Sequence, residues 1–318
     1  MNTELEAALR VSVIVPTYRR QVDLARCLAA LDEQLRPADE VIVVARPDDH
    51  ATQAFLQHRA RGRGTQGLQV APVTRPGVVA AYNRGLDAAT CDIICFTDDD
   101  AAPHPDWTQR LIETFLSDPG IGGVGGRDIV HQNGMILEGA RPNVGLVRWY
   151  GRPVGNHHIG CGEARRVHVL KGVNMAFRRE AVTGLRFDER LRGNGAQVHC
   201  EMKYSLDVLR RKWVLVYDPS ILVEHYPAPR SDEDQRFSFN HVAFYNASFN
   251  LRLIMREHLS GPGRWAFVVY STLIGNRADP GLARAITLAF SGVAPEIALR
   301  KWWIGLCAMR GAWQEARR

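Results

Sequence analysis

Three consecutive carboxylates, Asp98, Asp99 and Asp100, follow directly on the apolar run Cys91-Asp-Ile-Ile-Cys-Phe-Thr97. Such a run reads as a buried strand, and loops at the carboxyl ends of parallel strands are where open α/β sheets take their ligands. In extended backbone alternate side chains share a side, so Asp98 and Asp100 face one way and Asp99 the other. Two hard oxygens on one side suit Mg²⁺ or Mn²⁺, with water and a substrate phosphate completing the shell. The plainer alternative is a solvated acidic turn ahead of the next helix, whose N-terminal dipole favours acids. Other clusters carry less. His157, His158, Cys161, Glu163, His168, His199 and Cys200 fit no paired-cysteine zinc framework and read as loop residues. Gly120-Ile-Gly-Gly-Val-Gly125 spells G-x-G-x-x-G, but it follows a helical stretch and not the first strand, where a dinucleotide fingerprint must sit. It reads as a turn and a small-residue strand. No G-x-S-x-G nucleophile elbow is present.

The elements that must position the triplet alternate strand and helix. Val11-Ser-Val-Ile-Val15, closed by Pro16, and Glu40-Val-Ile-Val-Val44 are short β-branched strands, and Leu24, Cys27, Leu28 and Leu31 mark a helix between them. This is a βαβ unit with a right-handed crossover. Helix is predicted over Thr52–Arg59 and Asn83–Ala89, strand over Leu68–Val70, and a surface loop over Arg61-Gly-Arg-Gly-Thr65. Past the triplet, Trp107, Leu111 and Phe115 space a helix over Pro105–Ser117; Glu201–Arg211 and Trp213–Tyr217 form a later helix–strand pair. The expected fold class is therefore α/β: an open, mainly parallel sheet with helices on both faces. From about Phe237 the chain is apolar, basic and helical, so a boundary is placed near 235, with 236–318 as a helical extension.

With 318 residues, 46% hydrophobic and 23% charged, the chain lies in the ordinary globular range, which excludes wholesale disorder and disulfide mini-scaffolds. Its first six residues carry two acids and no basic run, so no secretory leader is expected and a reducing, cytoplasmic setting is. The net charge is +6, and half of that excess lies in the last eighteen residues. A nucleic-acid partner would need a clustered basic face, and the α/β half of the chain holds the acidic triplet.

Five blocks, in order, resemble the family 2 glycosyltransferases of the GT-A fold: Val11-Ser-Val-Ile-Val-Pro-Thr-Tyr18, Asn83-Arg-Gly-Leu86, Ile94-Cys-Phe-Thr-Asp-Asp-Asp100, Lys171-Gly-Val-Asn-Met-Ala-Phe-Arg178, and Tyr217-Asp-Pro219 to His225. The resemblance covers roughly residues 11 to 230. It implies a catalytic domain over 1–235, with about 11–128 binding the nucleotide sugar and 129–235 the acceptor. The implied activity is transfer of a sugar from a nucleoside diphosphate donor, UDP-sugar favoured, to an acceptor hydroxyl with inversion, in polysaccharide or cell-envelope glycan assembly. On this resemblance Pro16, Thr17 and Tyr18 line the nucleotide pocket, Asp48 or Asp49 approaches the base, and Asp98 with Asp100 forms the D-x-D pair. Asp98 and Asp99 also meet the donor, and His225 completes the shell of Mn²⁺ or Mg²⁺. Arg75, Arg84, Lys171, Arg178 and Arg230 are the candidate diphosphate cations; Asn83 and Asn174 come with their motifs. Family members often carry Arg two residues before Arg84, where this chain has Tyr82.

The family's base is commonly the Asp of a Glu-Asp pair opening a helix before the last strand, and here that pair reads Glu201-Met202. Glu201 is therefore the expected base, with Asp207 second. A catalytically silent nucleotide-sugar binder of the same fold is the alternative that Met202 raises. In the extension, Arg300-Lys-Trp-Trp-Ile-Gly-Leu-Cys-Ala-Met-Arg310 mixes basic groups with Trp, and residues 264–274 are apolar but too short to span a bilayer. Two readings stay open: contact with an anionic inner membrane face, where a lipid-linked or other glycan acceptor would be met, and packing on the domain or on a second subunit.

Overall fold

The computed structural model describes residues 9–60, 67–230, 239–290 and 295–317. The loop expected at Arg61–Thr65 and the boundary near 235 lie outside them. The chain forms two compact units: the first runs to Leu146 and takes in Gly155–Phe187 and Tyr204–Ala228, and the second comprises Val147–Val154, Asp188–Lys203 and the chain from Pro229.

The first unit is built on a sheet of ten strands. Strands β1 (Val11–Thr17), β2 (Glu40–Ala45), β3 (Leu68–Pro72) and β4 (Ile93–Phe96) run parallel, ordered β4-β1-β2-β3. β5 (Ala101–Pro103), β6 (Ile121–Gln132), β7 (Met135–Ile136), β10 (Arg165–Val167), β11 (Met175–Arg178) and β12 (Val214–His225) complete it, with β11 antiparallel to both β4 and β6 and β12 parallel to β6. β8 (Leu146–Val147) and β9 (Pro153–Val154) make a separate short ribbon. β1 lies between β2 and β4, so the strand order reverses at β1 and leaves a crevice at the carboxyl ends of β1 and β4.

Helices α1 (Gln21–Asp32), α2 (His50–Ala60), α3 (Val78–Ala88) and α4 (Trp107–Ser117) follow their strands. The spaced residues Leu24, Cys27, Leu28 and Leu31 of α1 and Trp107, Leu111 and Phe115 of α4 bury together against β1 and β4. α3 starts five residues ahead of the expected Asn83 because Gly77, at φ 103°, breaks the preceding backbone there. Its Gly85 lets the helix lie on β1, where a Cβ would stand 2.4 Å from the Ile14 side chain. Tyr82, Phe96, Phe177, Phe187 and Tyr204 form an aromatic layer, with Phe187 stacked on Tyr204 at 4.0 Å.

The glycine motif is the small-residue strand that its position implied. It opens β6, and a Cβ at Gly122 would meet Trp213 at 2.5 Å, at Gly123 Leu215 at 2.6 Å, and at Gly126 the Ile221 carbonyl at 1.9 Å. The last contact falls where β12 shifts register against β6, between Asp218 and Leu222. After α5 (Arg179–Val182), α6 (Cys200–Arg210) leads into β12. That strand continues eight residues past the expected Tyr217, through Asp218-Pro-Ser220, because β5 and β6 pair its second half.

The second unit is helical: α7 (His241–His258), α8 (Gly261–Val269) running into a π-helical turn Tyr270–Ile274, α9 (Leu282–Ala289) and α10 (Pro295–Glu315). Asn240 caps α7, accepting from the Val242 and Ala243 amides at 2.8 and 3.2 Å. Within this unit α10 packs along α7 through a seam containing Gly305, Ala308, Met309 and Ala312. Arg252, buried in α7, pairs with Asp279 at 3.0 Å. Ala285 and Leu288 of α9 meet Ala298 and Trp302 of α10, and Trp302 Nε1 donates to the Thr272 carbonyl at 2.9 Å. Among the described residues no helix is long and apolar enough to cross a membrane.

Candidate functional site

The crevice at the β1/β4 ends gathers the acidic triplet. The hydroxyl of Thr17, the last residue of β1, donates to Asp99 at 2.8 Å, and Arg20 at the start of α1 donates to Asp99 at 3.0 Å and stands 3.6 Å from Asp100. The chain turns at the triplet, where the Ala101 amide donates to the Asp98 carbonyl at 3.2 Å, so the expected extended alternation does not hold and Arg20 reaches both Asp99 and Asp100. Tyr82 Oη lies 3.4 Å from Asp98; Asp100 accepts from the Ala228 amide at 2.9 Å and lies 3.5 Å from His225 Nε2. β12 ends at His225 and thereby delivers the imidazole to the triplet.

One oxygen each of Asp98 and Asp100 and a ring nitrogen of His225 lie within 4.8 Å of one another, and among the described residues no second set of three such groups does so. His225 Nε2 is buried without a hydrogen-bond partner. Its Nδ1 faces Asp128 of β6 at 3.4 Å, and the Lys171 ammonium bonds that same carboxylate. Two carboxylates and an imidazole, with one buried nitrogen unpartnered, fit a hard divalent ion such as Mn²⁺ or Mg²⁺.

Electrostatics separates these carboxylates. Desolvation and the charge of Asp100 push Asp98 up, against His225, Arg20 and Lys171. Burial takes Asp99 to about 7 although Arg20 and Thr17 oppose it. Burial acts on Asp100 and Asp128 too, but the proximity of His225, together with the Ala228 amide for Asp100 and Lys171 for Asp128, outweighs it and holds each at about 2.

Tyr18 lies beside Arg46, whose guanidinium is 4.5 Å from its ring and also pairs with Asp48 at 2.7 Å. Of the two candidate base contacts, Asp48 is the exposed one. Asp49 is buried and accepts from the Arg19 amide and from Thr52, starting α2. Pro16 pairs with Val44 inside the sheet, and Arg84 Nε donates to the Pro72 carbonyl. Arg75 is exposed beyond β3.

Three expected site residues serve the framework. Asn83 clamps both the amide and the carbonyl of Phe187, at 2.8 and 2.9 Å. Asn174 accepts from Trp107 Nε1 and donates to the Arg127 and Ile221 carbonyls. Arg178 pairs with Ile93, at the opposite end of β4 from the triplet, and its guanidinium is taken by the Ile121 and Phe115 carbonyls. Their geometry gives them structural reasons to stand in those motifs. Glu201 and Arg230 belong to the second unit; Glu201 is in the first turn of α6, half-buried, with Cys200 Sγ at 3.4 Å, while Met202 is buried.

Asp128, Arg20 and Arg46 were not singled out by sequence. Asp128 lies 28 residues past Asp100, and only the β6/β12 pairing brings it to His225.

The comparisons agree with this geometry. A family model described as "Glycosyl transferase family 2" matches residues 12–185, a stretch that includes the triplet. Glycosyltransferase AglE of Haloferax volcanii is 29% identical over 127 residues, 39% of this chain and 41% of that one. Amylovoran biosynthesis glycosyltransferase AmsB of Erwinia amylovora is 29% identical over 190 residues, 56% of this chain and 58% of that one. The chain thus spans about half the length of the curated relatives it matches. In fold it resembles mannosyltransferase PcManGT of Pyrobaculum calidifontis in complex with GDP-Man and Mn²⁺, with TM-score 0.57 and 20% identity over 97% of this chain and 87% of that one. It also resembles S. aureus TarS 1–349 in complex with UDP-GlcNAc, with TM-score 0.61 and 15% identity over 96% and 81%. With the GT-A architecture present and more than half of the chain covered by the family model, this protein belongs to glycosyl transferase family 2.

Proposed function

We propose that this protein is a metal-dependent, inverting glycosyltransferase that moves a sugar from a nucleoside diphosphate sugar to an acceptor hydroxyl in polysaccharide or cell-envelope glycan assembly. The observation that carries the reading is the convergence of Asp98, Asp100 and the unpartnered His225 Nε2 at the strand-order reversal of a family 2 fold. Asp98, Asp100 and His225 would hold Mn²⁺ or Mg²⁺, which when bound supplies counter-charge for the departing diphosphate. Asp128 orients the His225 ring through Nδ1 and leaves Nε2 facing the carboxylates. Thr17 and Arg20 hold Asp99, and Arg20 also stands beside Asp100. Pro16, Thr17 and Tyr18 line the nucleoside pocket, with Asp48 or Asp49 toward the base. Arg75, Arg84, Lys171 and Arg230 supply cations for the phosphates.

Glu201 takes the proton from the acceptor hydroxyl, which it must approach to about 3 Å. UDP-sugars are the first donors to test, and GDP-sugars follow because the PcManGT neighbour is described with GDP-Man. Six cysteines outside any disulfide support a reducing, cytoplasmic setting, where a glycan or lipid-linked acceptor would be met at the inner membrane face.

The test is a thermal-shift screen of UDP-, GDP- and dTDP-sugars with and without Mn²⁺. A donor at a hundred times its dissociation constant adds about 2.7 kcal/mol of apparent stability, and here it should do so only with the ion. A chain that none of them stabilises sinks the proposal. Donor turnover then separates the enzyme from a silent binder, and full activity in Glu201→Gln would remove the base assignment.

A further inference from the structure

We infer that the α8–α10 face of the second unit docks on an anionic bilayer surface, lying in its interface without crossing it. Among the described residues, eight of the fifteen exposed large apolar side chains fall between Trp265 and Trp303. Trp265, Val269 and Leu273 recur at every fourth position along α8 and its π-helical turn, and Trp265 is 68% exposed. Ile286 and Phe290 do the same on and just after α9, with Phe290 88% exposed; Leu299 and Trp303 repeat the spacing on α10, with Trp303 62% exposed. Ala285, Leu288, Ala298 and Trp302 join α9 to α10, and the Trp302 bond to Thr272 ties α10 to the π-helical turn. Each of these joined helices therefore satisfies its packing with one set of residues and leaves a separate apolar stripe outside. Stripes of this density mark a surface that meets something apolar.

Charge identifies the occupant. Residues 261–303, which hold these stripes, carry five Lys or Arg against two Asp or Glu, which is +3 of the chain's +6. Asp279 is already paired with Arg252, while Arg277, Arg284 and Arg300 are exposed. A basic surface bearing exposed Trp and Phe suits anionic headgroups over acyl chains. A second copy of the chain would bring the same positive charge against itself, which disfavours that occupant. The seam expected to be membrane-active is also partly consumed inside the unit, since Trp302 is bonded to Thr272 and Trp313 lies 5.0 Å from the Arg256 guanidinium. The docking residues are thus centred on α8 and α9 and reach only the first turns of α10.

The experiment is flotation of the full chain, without donor, on phosphatidylcholine vesicles and on vesicles in which part of that lipid is phosphatidylglycerol. Binding to the anionic vesicles, a blue shift of tryptophan emission, and loss of binding as salt rises are expected. Trp265→Ser with Phe290→Ser should weaken partition about tenfold or more, through lost apolar insertion. Changing Arg277, Arg284 and Arg300 to Gln should erase the preference for anionic lipid. Circular dichroism melts confirm that the variants fold. Absence of flotation, equal binding by the variants, or a light-scattering dimer that the Ser substitutions dissolve would each overturn the inference. Donor-induced thermal shifts on the same variants are read separately, so a failed transferase reading is distinguishable from a failed docking surface.

Discussion

The two ends of the same parallel strands bury their polar groups under different terms. At the amino end Glu40 accepts from the Ser12 hydroxyl at 2.6 Å, the Thr90 amide at 2.9 Å and the Thr90 hydroxyl. Burial alone would raise this carboxyl, yet those bonds outweigh it and hold it below its ordinary value. Nearby, Asp39 and Asp92 accept the Val11 and Arg10 amides. At the carboxyl end Asp100 and Asp128 are likewise held low, but Asp98 and Asp99 are pushed up, Asp128 keeps an oxygen with no hydrogen-bond partner, and His225 Nε2 has none either. Buried polar groups are ordinarily satisfied, so satisfaction marks the amino end as framework, and the unpartnered atoms of His225 and Asp128 mark the carboxyl end as the candidate site.

Substitutions can break this contrast. Asp100→Ala should lower transfer by about 10³-fold, since several kcal/mol of charge stabilisation depends on the ion it helps hold. Because the substitution also strips the buried Ala228 amide of its acceptor, it should cost about 1–3 kcal/mol of unfolding free energy. Transfer is therefore read on protein shown to be folded by circular dichroism, and near-wild-type transfer there would remove Asp100 from the ion site. Asp128→Asn should weaken Mn²⁺ affinity, followed by electron paramagnetic resonance, about 10- to 100-fold through the loosened His225 ring; unchanged affinity would show that the ring needs no such support. At the other end Glu40→Gln should cost about 1–3 kcal/mol of unfolding free energy with donor affinity unchanged, as read by urea titration and donor thermal shift. The smallest effect is a slope. Glu40 titrates below its ordinary 4.5 when folded, so its stabilisation is complete above that value and is lost as pH falls through the folded one. The stability gap between wild type and Glu40→Gln should therefore narrow as the medium is acidified below 4.5, and a constant gap would dissociate the bonds from the charge.

The same contrast explains what the sequence made visible. Val11–Val15, the Leu24/Leu28/Leu31 spacing and the Asp triplet are local patterns, and each had its element and its edge of the sheet legible in a few residues. Asp128 had no local signal, because its neighbours are strand glycines and its partner His225 arrives from 97 positions later. Asn83, Asn174 and Arg178 stood in motif blocks, but a motif does not say whether an amide or guanidinium faces a ligand or a carbonyl. Here carbonyls have them. Nor did composition reveal that Asp188–Lys203 groups with the C-terminal helices, where Asn250 holds the Arg192 and Val198 carbonyls.

The glycine-rich opening of β6 will shape how a saturation-mutagenesis map of this chain reads. Any side chain at Gly122, Gly123 or Gly126 collides with Trp213, Leu215 or the Ile221 carbonyl, so these positions would appear as intolerant as a metal ligand. An activity screen alone would score them beside Asp98 and Asp100. Abundance measured in parallel would divide them, because an intolerant glycine removes the folded protein from the cell, whereas a lost ligand leaves it there and idle.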